Sequence, residues 1–129
     1  MTVAVLDSSA LIAALMREPG AERVGAVLND CTMSTVNFSE VVAYGTRRGR
    51  SEAEIRAWLE PLKIEPVDFD LGLAYDAGLL MPVTKQFGLS FGDRACLTLA
   101  RRLGVKVLTT DRAWQQIADA VGIEVEVIR

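Results

Sequence analysis

Four acidic side chains sit where an acid is costly. Asp7 closes the apolar run Val3 to Leu6, and Asp111 follows the run Val105 to Leu108. Glu40 lies inside an otherwise apolar helical stretch, and Asp93 opens a segment whose next turns are apolar. In open α/β sheets ligands bind at the carboxyl ends of the strands, which is where Asp7 and Asp111 fall. Glu40 has Asn37 one turn before it and Tyr44 one turn after it, a polar stripe beside a packed face. Brought together, four acids repel, raise one another's pKa values and cost stability unless a cation intervenes. Magnesium or manganese is the natural partner, because both prefer carboxylate and water oxygens. A hydrated divalent ion orients and acidifies a water and offsets charge developing on a phosphate.

Each acid also has a plain structural role open to it. Asp7, Asp93 and Asp111 all precede helices and serve equally well as N-caps, and Glu40 as a solvated or ion-paired helix residue. Asp68, Asp70 and Asp76 read as capping or surface acids. Ser9, Asn37 and Thr109 carry side chains that cap or turn the backbone in most proteins. Trp114 reads as a packing anchor. Arg47, Arg48 and Arg50, with Arg101 and Arg102, read as solvated faces, and spacing does not say whether the first three line a substrate path.

Composition narrows the chemistry further. The chain of 129 residues has no histidine, which removes Ser-His-Asp and Cys-His nucleophile systems, imidazole bases and His-containing zinc sites. Any chemistry near neutral pH therefore falls to carboxylates, with or without a metal ion. Half the residues are apolar and 24% are charged, a globular balance that suits one domain over 1–129. Cys31 and Cys96 lie far apart in no ligand-pair spacing and read as reduced, buried thiols. No window approaches the ~18 unbroken apolar residues of a membrane span, and the N-terminal stretch lacks the basic start of a signal peptide. A cytoplasmic protein is expected. The net charge of −3 argues against gripping nucleic acid by bulk electrostatics, though not against a local basic patch with bound cations.

The elements that must position the acids alternate between strand and helix. Val3 to Leu6 predicts a buried strand, then Asp7-Ser8-Ser9 starts a helix broken at Glu18-Pro19-Gly20. Ala21 to Leu28 predicts a helix, Cys31 to Ser34 a strand, and Val36 to Arg48 a helix packed through Phe38, Val41, Val42 and Gly45. Ser51 and Glu54 have capping-box spacing before a helix over Glu52 to Glu60. Ile64 to Val67 predicts a third strand, and Asp70 to Met81 a helix that Pro82 ends or kinks. Asp93 is expected to open the next helix, followed by a strand over Val105 to Leu108, a short helix containing Trp114, and a final edge strand over Glu124 to Ile128. This alternation predicts an α/β sandwich around a mostly parallel sheet, with strand order left open.

The block Gly88-Leu-Ser-Phe-Gly-Asp-Arg-Ala-Cys-Leu-Thr-Leu-Ala100 continues through Gly104 to Val-Leu-Thr-Thr-Asp-Arg-Ala-Trp114. With Val5-Leu-Asp-Ser-Ser-Ala10 and Ser34-Thr-Val-Asn-Phe-Ser-Glu-Val41 in order before it, the chain resembles the PIN-domain ribonucleases of the VapC toxin type over essentially its whole length. The resemblance implies a PIN-like three-layer sandwich with a central sheet of four or five strands. It implies magnesium- or manganese-dependent cleavage of single-stranded or looped RNA, leaving a 5′-phosphate and a 3′-hydroxyl. It further implies a homodimer and a cognate antitoxin lying across the site. Carried over by position, it makes Asp7, Glu40, Asp93 and Asp111 the acidic quartet. Asp7 and Asp93 are then direct metal ligands, Asp111 a ligand of a second ion or one acting through water, and Glu40 the residue that positions the attacking water. Ser9, Asn37 and Thr109 become groups that hold the carboxylates. Arg94 and Arg112 are candidate phosphate contacts, with pairing to surface acids an equal alternative. Phe91, where an aliphatic residue is commoner, and Pro82 depart from the pattern and bear on groove shape.

Two other classes compete. A phosphoacceptor receiver domain has a similar size and pattern, and Thr109 fits its threonine slot, but only one acid follows the first strand and no lysine follows Val125. A catalytically silent PIN-like scaffold is the other, and the complete quartet speaks against it.

Overall fold

The computed structural model describes residues 1–129. At its centre lie four short strands, β1 (Ala4–Leu6), β2 (Cys31–Thr32), β3 (Lys106–Thr109) and β4 (Val125–Val127). They are all parallel and stand in the order β2-β1-β3-β4. Alternating side chains serve opposite faces. Ala4, Leu6 and Leu108 join one buried cluster, whereas Val5 and Val107 join the other.

Helices cover both faces, as an all-parallel sheet requires. On one side α1 (Ser8–Met16), α2 (Ala21–Val27), α3 (Thr35–Arg47) and α4 (Glu52–Leu59) contribute Leu11, Val24, Val41 and Ile55. On the other, α5 (Leu71–Leu79), the short α6 (Met81–Thr84), α7 (Phe91–Leu103) and α8 (Trp114–Val121) contribute Leu73, Leu97, Leu99, Trp114 and Ile117. The result is the expected three-layer α/β sandwich. No helix is long and apolar enough to cross a membrane.

The chain leaves β1 for β2 on one side and returns as β3 on the other. Sheet order therefore reverses between β1 and β3, and their carboxyl ends flank the crevice where such folds bind ligands. Asp7 directly follows β1, and Asp111 lies two residues beyond β3.

Several boundaries differ from expectation for local reasons. Ile64 to Val67 forms no strand and makes only one bridge, Ser34 to Val67. Pro66 has no N–H to give a ladder, and the Glu65 carbonyl accepts from the Thr32 hydroxyl at 2.8 Å. The helix after Asp70 stops at Leu79, and Pro82 sits in the first turn of α6, where its missing N–H does no harm. Most relevant to the site, α7 begins at Phe91 and not at Asp93. Ser90 is its cap, and Asp93 is the third residue of the helix. At the far end Gly104, with φ of 68°, turns α7 directly toward β3.

Trp114 is fully buried in the second cluster, and its indole N–H has no acceptor. Trp114→Ala should lower stability by about 3–5 kcal/mol through the cavity it leaves. Trp114→Phe should cost much less, since removing an unpaired buried N–H offsets part of the lost volume. Urea unfolding of the two variants checks this; equal losses would contradict it.

Candidate active site

Asp7 occupies the N-cap position of α1 with no capping bond from its side chain. Its carboxylate instead turns to β3. Thr109 donates its hydroxyl to Asp7 Oδ2 at 2.9 Å, and Ser9 donates to the same oxygen at 2.6 Å. Thr109 Oγ1 also accepts from the Asp111 backbone N–H at 3.1 Å. One buried hydroxyl thus ties the end of β1 to the turn after β3. Ser9 Oγ accepts from Thr110 N at 3.1 Å, which closes the link from the α1 side.

Asp7 is 5% exposed. Burial pushes its carboxyl up from 3.8 to about 6 against the lowering effect of the two hydroxyls, with Asp93 and Glu40 adding repulsion. Asp93 is also raised, first by burial and then by Glu40 and Asp111, while its bonds to Ser90 pull the other way. The Cys96 thiol, one turn beyond Asp93 and fully buried, is held far from ionisation by burial, with Asp7, Asp93 and Glu40 adding to the effect. It is an inert thiol beneath the acids.

Asp93 is anchored by a capping box: its N–H donates to Ser90 Oγ at 3.2 Å, and its Oδ2 accepts from Ser90 N at 2.9 Å. Glu40 reaches the same place from the opposite layer. Asn37, fully buried, donates through Nδ2 to Glu40 Oε1 and to the Gly92 carbonyl, each at 2.9 Å. A Cβ on Gly92 would lie 2.7 Å from Glu40 Cδ and 2.8 Å from Oε1, and closer still to Oε2. Glu40 therefore nests in space that only glycine leaves open. Asp111, exposed, accepts from Ala113 N at 2.9 Å through Oδ1, a local turn rather than the cap of α8, which is Ala113.

The four acids share one pattern. One oxygen of each is held by a donor of the chain, namely Asp7 Oδ2, Glu40 Oε1, Asp93 Oδ2 and Asp111 Oδ1, and the other has none. As the side chains stand, no three of them close around a single ion position. Magnesium does not need such a cage, because it keeps several waters and takes one or two carboxylates directly. An all-oxygen set with free, mutually repelling oxygens fits a hydrated hard cation.

Arg94 and Arg112 touch none of these acids. Arg94 donates to the Ala77 carbonyl at 3.2 Å and contacts the Met81 sulfur, while Arg112 donates to the Arg129 carbonyl at 3.2 Å. Ser90 and Gly92 were not among the sequence candidates. The Ser-x-x-Asp spacing was a visible signal for the first; nothing local marks the second. Phe91 is half exposed beside them and meets Phe69 edge-on at 5.4 Å.

The fold and its carboxylates define an α/β domain with an acidic crevice at the carboxyl ends of β1 and β3. The PIN domain family model matches residues 4–120, and the chain belongs to that family. Among solved structures it is similar to the DNA-bound VapBC from Salmonella typhimurium, with a TM-score of 0.78, 20% identity and 100% of each chain covered. VapBC2 from Rickettsia felis bound to a promoter DNA fragment gives 0.74 at 16% identity, covering 97% of this chain and 98% of that one. VapBC-5 from Mycobacterium tuberculosis, a member of the VapBC family of toxin–antitoxin systems, gives 0.66 at 20%, with 97% and 98% covered. No curated protein sequence matches the chain.

Two outcomes are expected from this geometry. In the metal-free protein the raised Asp7 carboxyl makes the folded state bind more protons than the unfolded one between about pH 4 and 6. Stability should therefore fall as pH rises through that window, by about 2–3 kcal/mol in all. Asp7→Asn should reduce this slope in urea titrations at several pH values, leaving the share that the raised Asp93 carboxyl contributes; an unchanged slope would refute the assignment. Gly92→Ala should displace Glu40 while leaving the fold intact, lowering any metal-dependent activity at least tenfold with a Tm within a few degrees of wild type.

Proposed function

We propose that this chain is a divalent-metal-dependent endoribonuclease, the toxin of a toxin–antitoxin pair. The observation that carries the reading is that Asp7 and Asp93 repel each other and Glu40, and Asp93 repels Asp111, while each of the four acids has one oxygen held and one free. When bound, magnesium or manganese supplies an acidified water and offsets the charge that builds on the phosphate.

The chain's own groups do the rest. Asp7 and Asp93 would hold the ion directly. Ser9 and Thr109 keep Asp7 aimed by bonding its far oxygen, and Ser90 does the same for Asp93. Glu40, seated on Gly92 and steadied by Asn37, orients the attacking water and takes its proton. Asp111, exposed, would hold a second ion or act through water. Attack in line on phosphorus breaks the bond to the 3′ oxygen, leaving a 5′-phosphate and a 3′-hydroxyl.

The antitoxin partner is supported by the similarity to chains solved as VapBC complexes. A homodimer is supported by the exposed stripe Leu71, Tyr75 and Leu79, spaced four apart on α5. A cytoplasmic setting agrees with two free, buried thiols. RNA entry past a net charge of −3 relies on local arginines and the ion.

Purified protein should cut single-stranded RNA only when magnesium or manganese is present. Asp7→Asn or Asp93→Asn should lower the rate at least a hundredfold while the fold is kept, as judged by circular dichroism. Cleavage that survives chelation, or survives these substitutions, would show the chemistry to be misassigned. Metal titration by calorimetry with no binding at low millimolar concentration would favour a silent scaffold.

A further inference from the structure

Six of the fourteen basic side chains of this acidic protein are held in ion pairs, and Arg94 and Arg112 are bound to backbone carbonyls. Arg23, Arg50, Arg56, Arg102, Lys106 and Arg129 each pair with a carboxylate. Arg47 and Arg48 pair with none and are exposed, at the end of α3. That helix also carries Glu40.

Helix geometry fixes how these residues relate. At about 100° and 1.5 Å per residue, Arg47 lies about 20° from the Glu40 direction and about 10 Å farther along the axis. Tyr44 falls between them, about 40° to the other side, and Arg48 continues one turn beyond Tyr44. The Arg48 guanidinium rests on the Tyr44 ring at 4.7 Å from its centroid. Beside this row α4 packs close, with Gly45 against Ile55 and Trp58, and Arg50 lies over the Trp58 ring at 5.9 Å.

We infer that the C-terminal half of α3 is a track for single-stranded RNA leading away from the acids, with Arg47 and Arg48 on phosphates and Tyr44 stacking a base. Aromatic faces interleaved with guanidiniums are the means by which proteins hold unpaired strands without reading sequence. The row begins at Glu40, so a strand whose backbone is at the acids meets it after a few nucleotides. This rests on the nuclease reading above and adds where the substrate runs. An acidic protein segment would also find two free arginines, but it makes no use of the ring.

The test measures binding of a fluorescent single-stranded oligoribonucleotide by anisotropy in chelator, so that nothing is cut, and steady-state cleavage with magnesium. Arg47→Gln with Arg48→Gln should weaken binding about tenfold and reduce the salt slope by about 1.4, the value for two phosphates on a single strand. KM should rise with kcat little changed. Tyr44→Ala should weaken binding about tenfold or more, and Tyr44→Phe should restore it. The charge-matched control, Lys85→Gln with Arg101→Gln, should bind as wild type does. If the arginine pair behaves like that control while wild type still cleaves, the track is wrong and the nuclease stands. If wild type neither binds nor cleaves RNA, both fall. Competition by polyglutamate that depends on Arg47 and Arg48, with RNA affinity unchanged by their loss, would assign the patch to an acidic protein and overturn the proposal.

Discussion

A carboxylate with almost no surface in water needs a proton, a set of donors or a cation, and Asp7 organises the crevice around that need. Two hydroxyls bond one of its oxygens, from Ser9 on α1 and Thr109 on β3. They soften the cost of burial without removing it, since the carboxyl still stands near 6. The free oxygen keeps an unmet demand for positive charge. Asp93 and Glu40 raise that demand further. A protein under no functional constraint would relieve this with an asparagine or an arginine.

The three layers meet at this one point. Glu40 comes from the helices on one face of the sheet and Asp93 from those on the other, and the two layers touch where Glu40 lies against Gly92. Asn37 fastens the layers by bonding Glu40 and the first turn of α7 together. Gly92 makes the approach possible by having no side chain. The acids are therefore placed by backbone geometry and short bonds rather than by long, mobile side chains, which suits chemistry that tolerates little misplacement.

What sequence reasoning reached, and what it missed, follows the range of the interactions. Helices and strands with strong periodicity were readable, as was the Ser51–Glu54 cap, because their causes lie within a few residues. The Ile64–Val67 segment has strand-like apolar residues, yet its pairing depends on Pro66 and on a side chain from β2. Ser90 and Asp93 obey the same capping logic, which puts Ser90 at the cap of α7 and Asp93 one turn inside it rather than at its start. Gly92 carries no local signal; its meaning appears only when α3 and α7 touch. The direction of Arg94, toward the Ala77 carbonyl, is likewise a matter of packing. Strand order, which creates the crevice between β1 and β3, lies beyond any periodicity.

Asp7 and Leu108 are joined by a backbone bond, and the first strand finds its inner neighbour about a hundred residues later. During synthesis the emerging N-terminal half carries Asp7 and Glu40 but has neither β3 to pair with β1 nor α7 to meet Glu40. The acidic centre can close only after β3 has left the ribosome, when most of the chain is already made. Until β3 and α7 are made, Asp7 lacks the Thr109 hydroxyl and Glu40 lacks the Gly92 surface, so the acids come together only with those later elements.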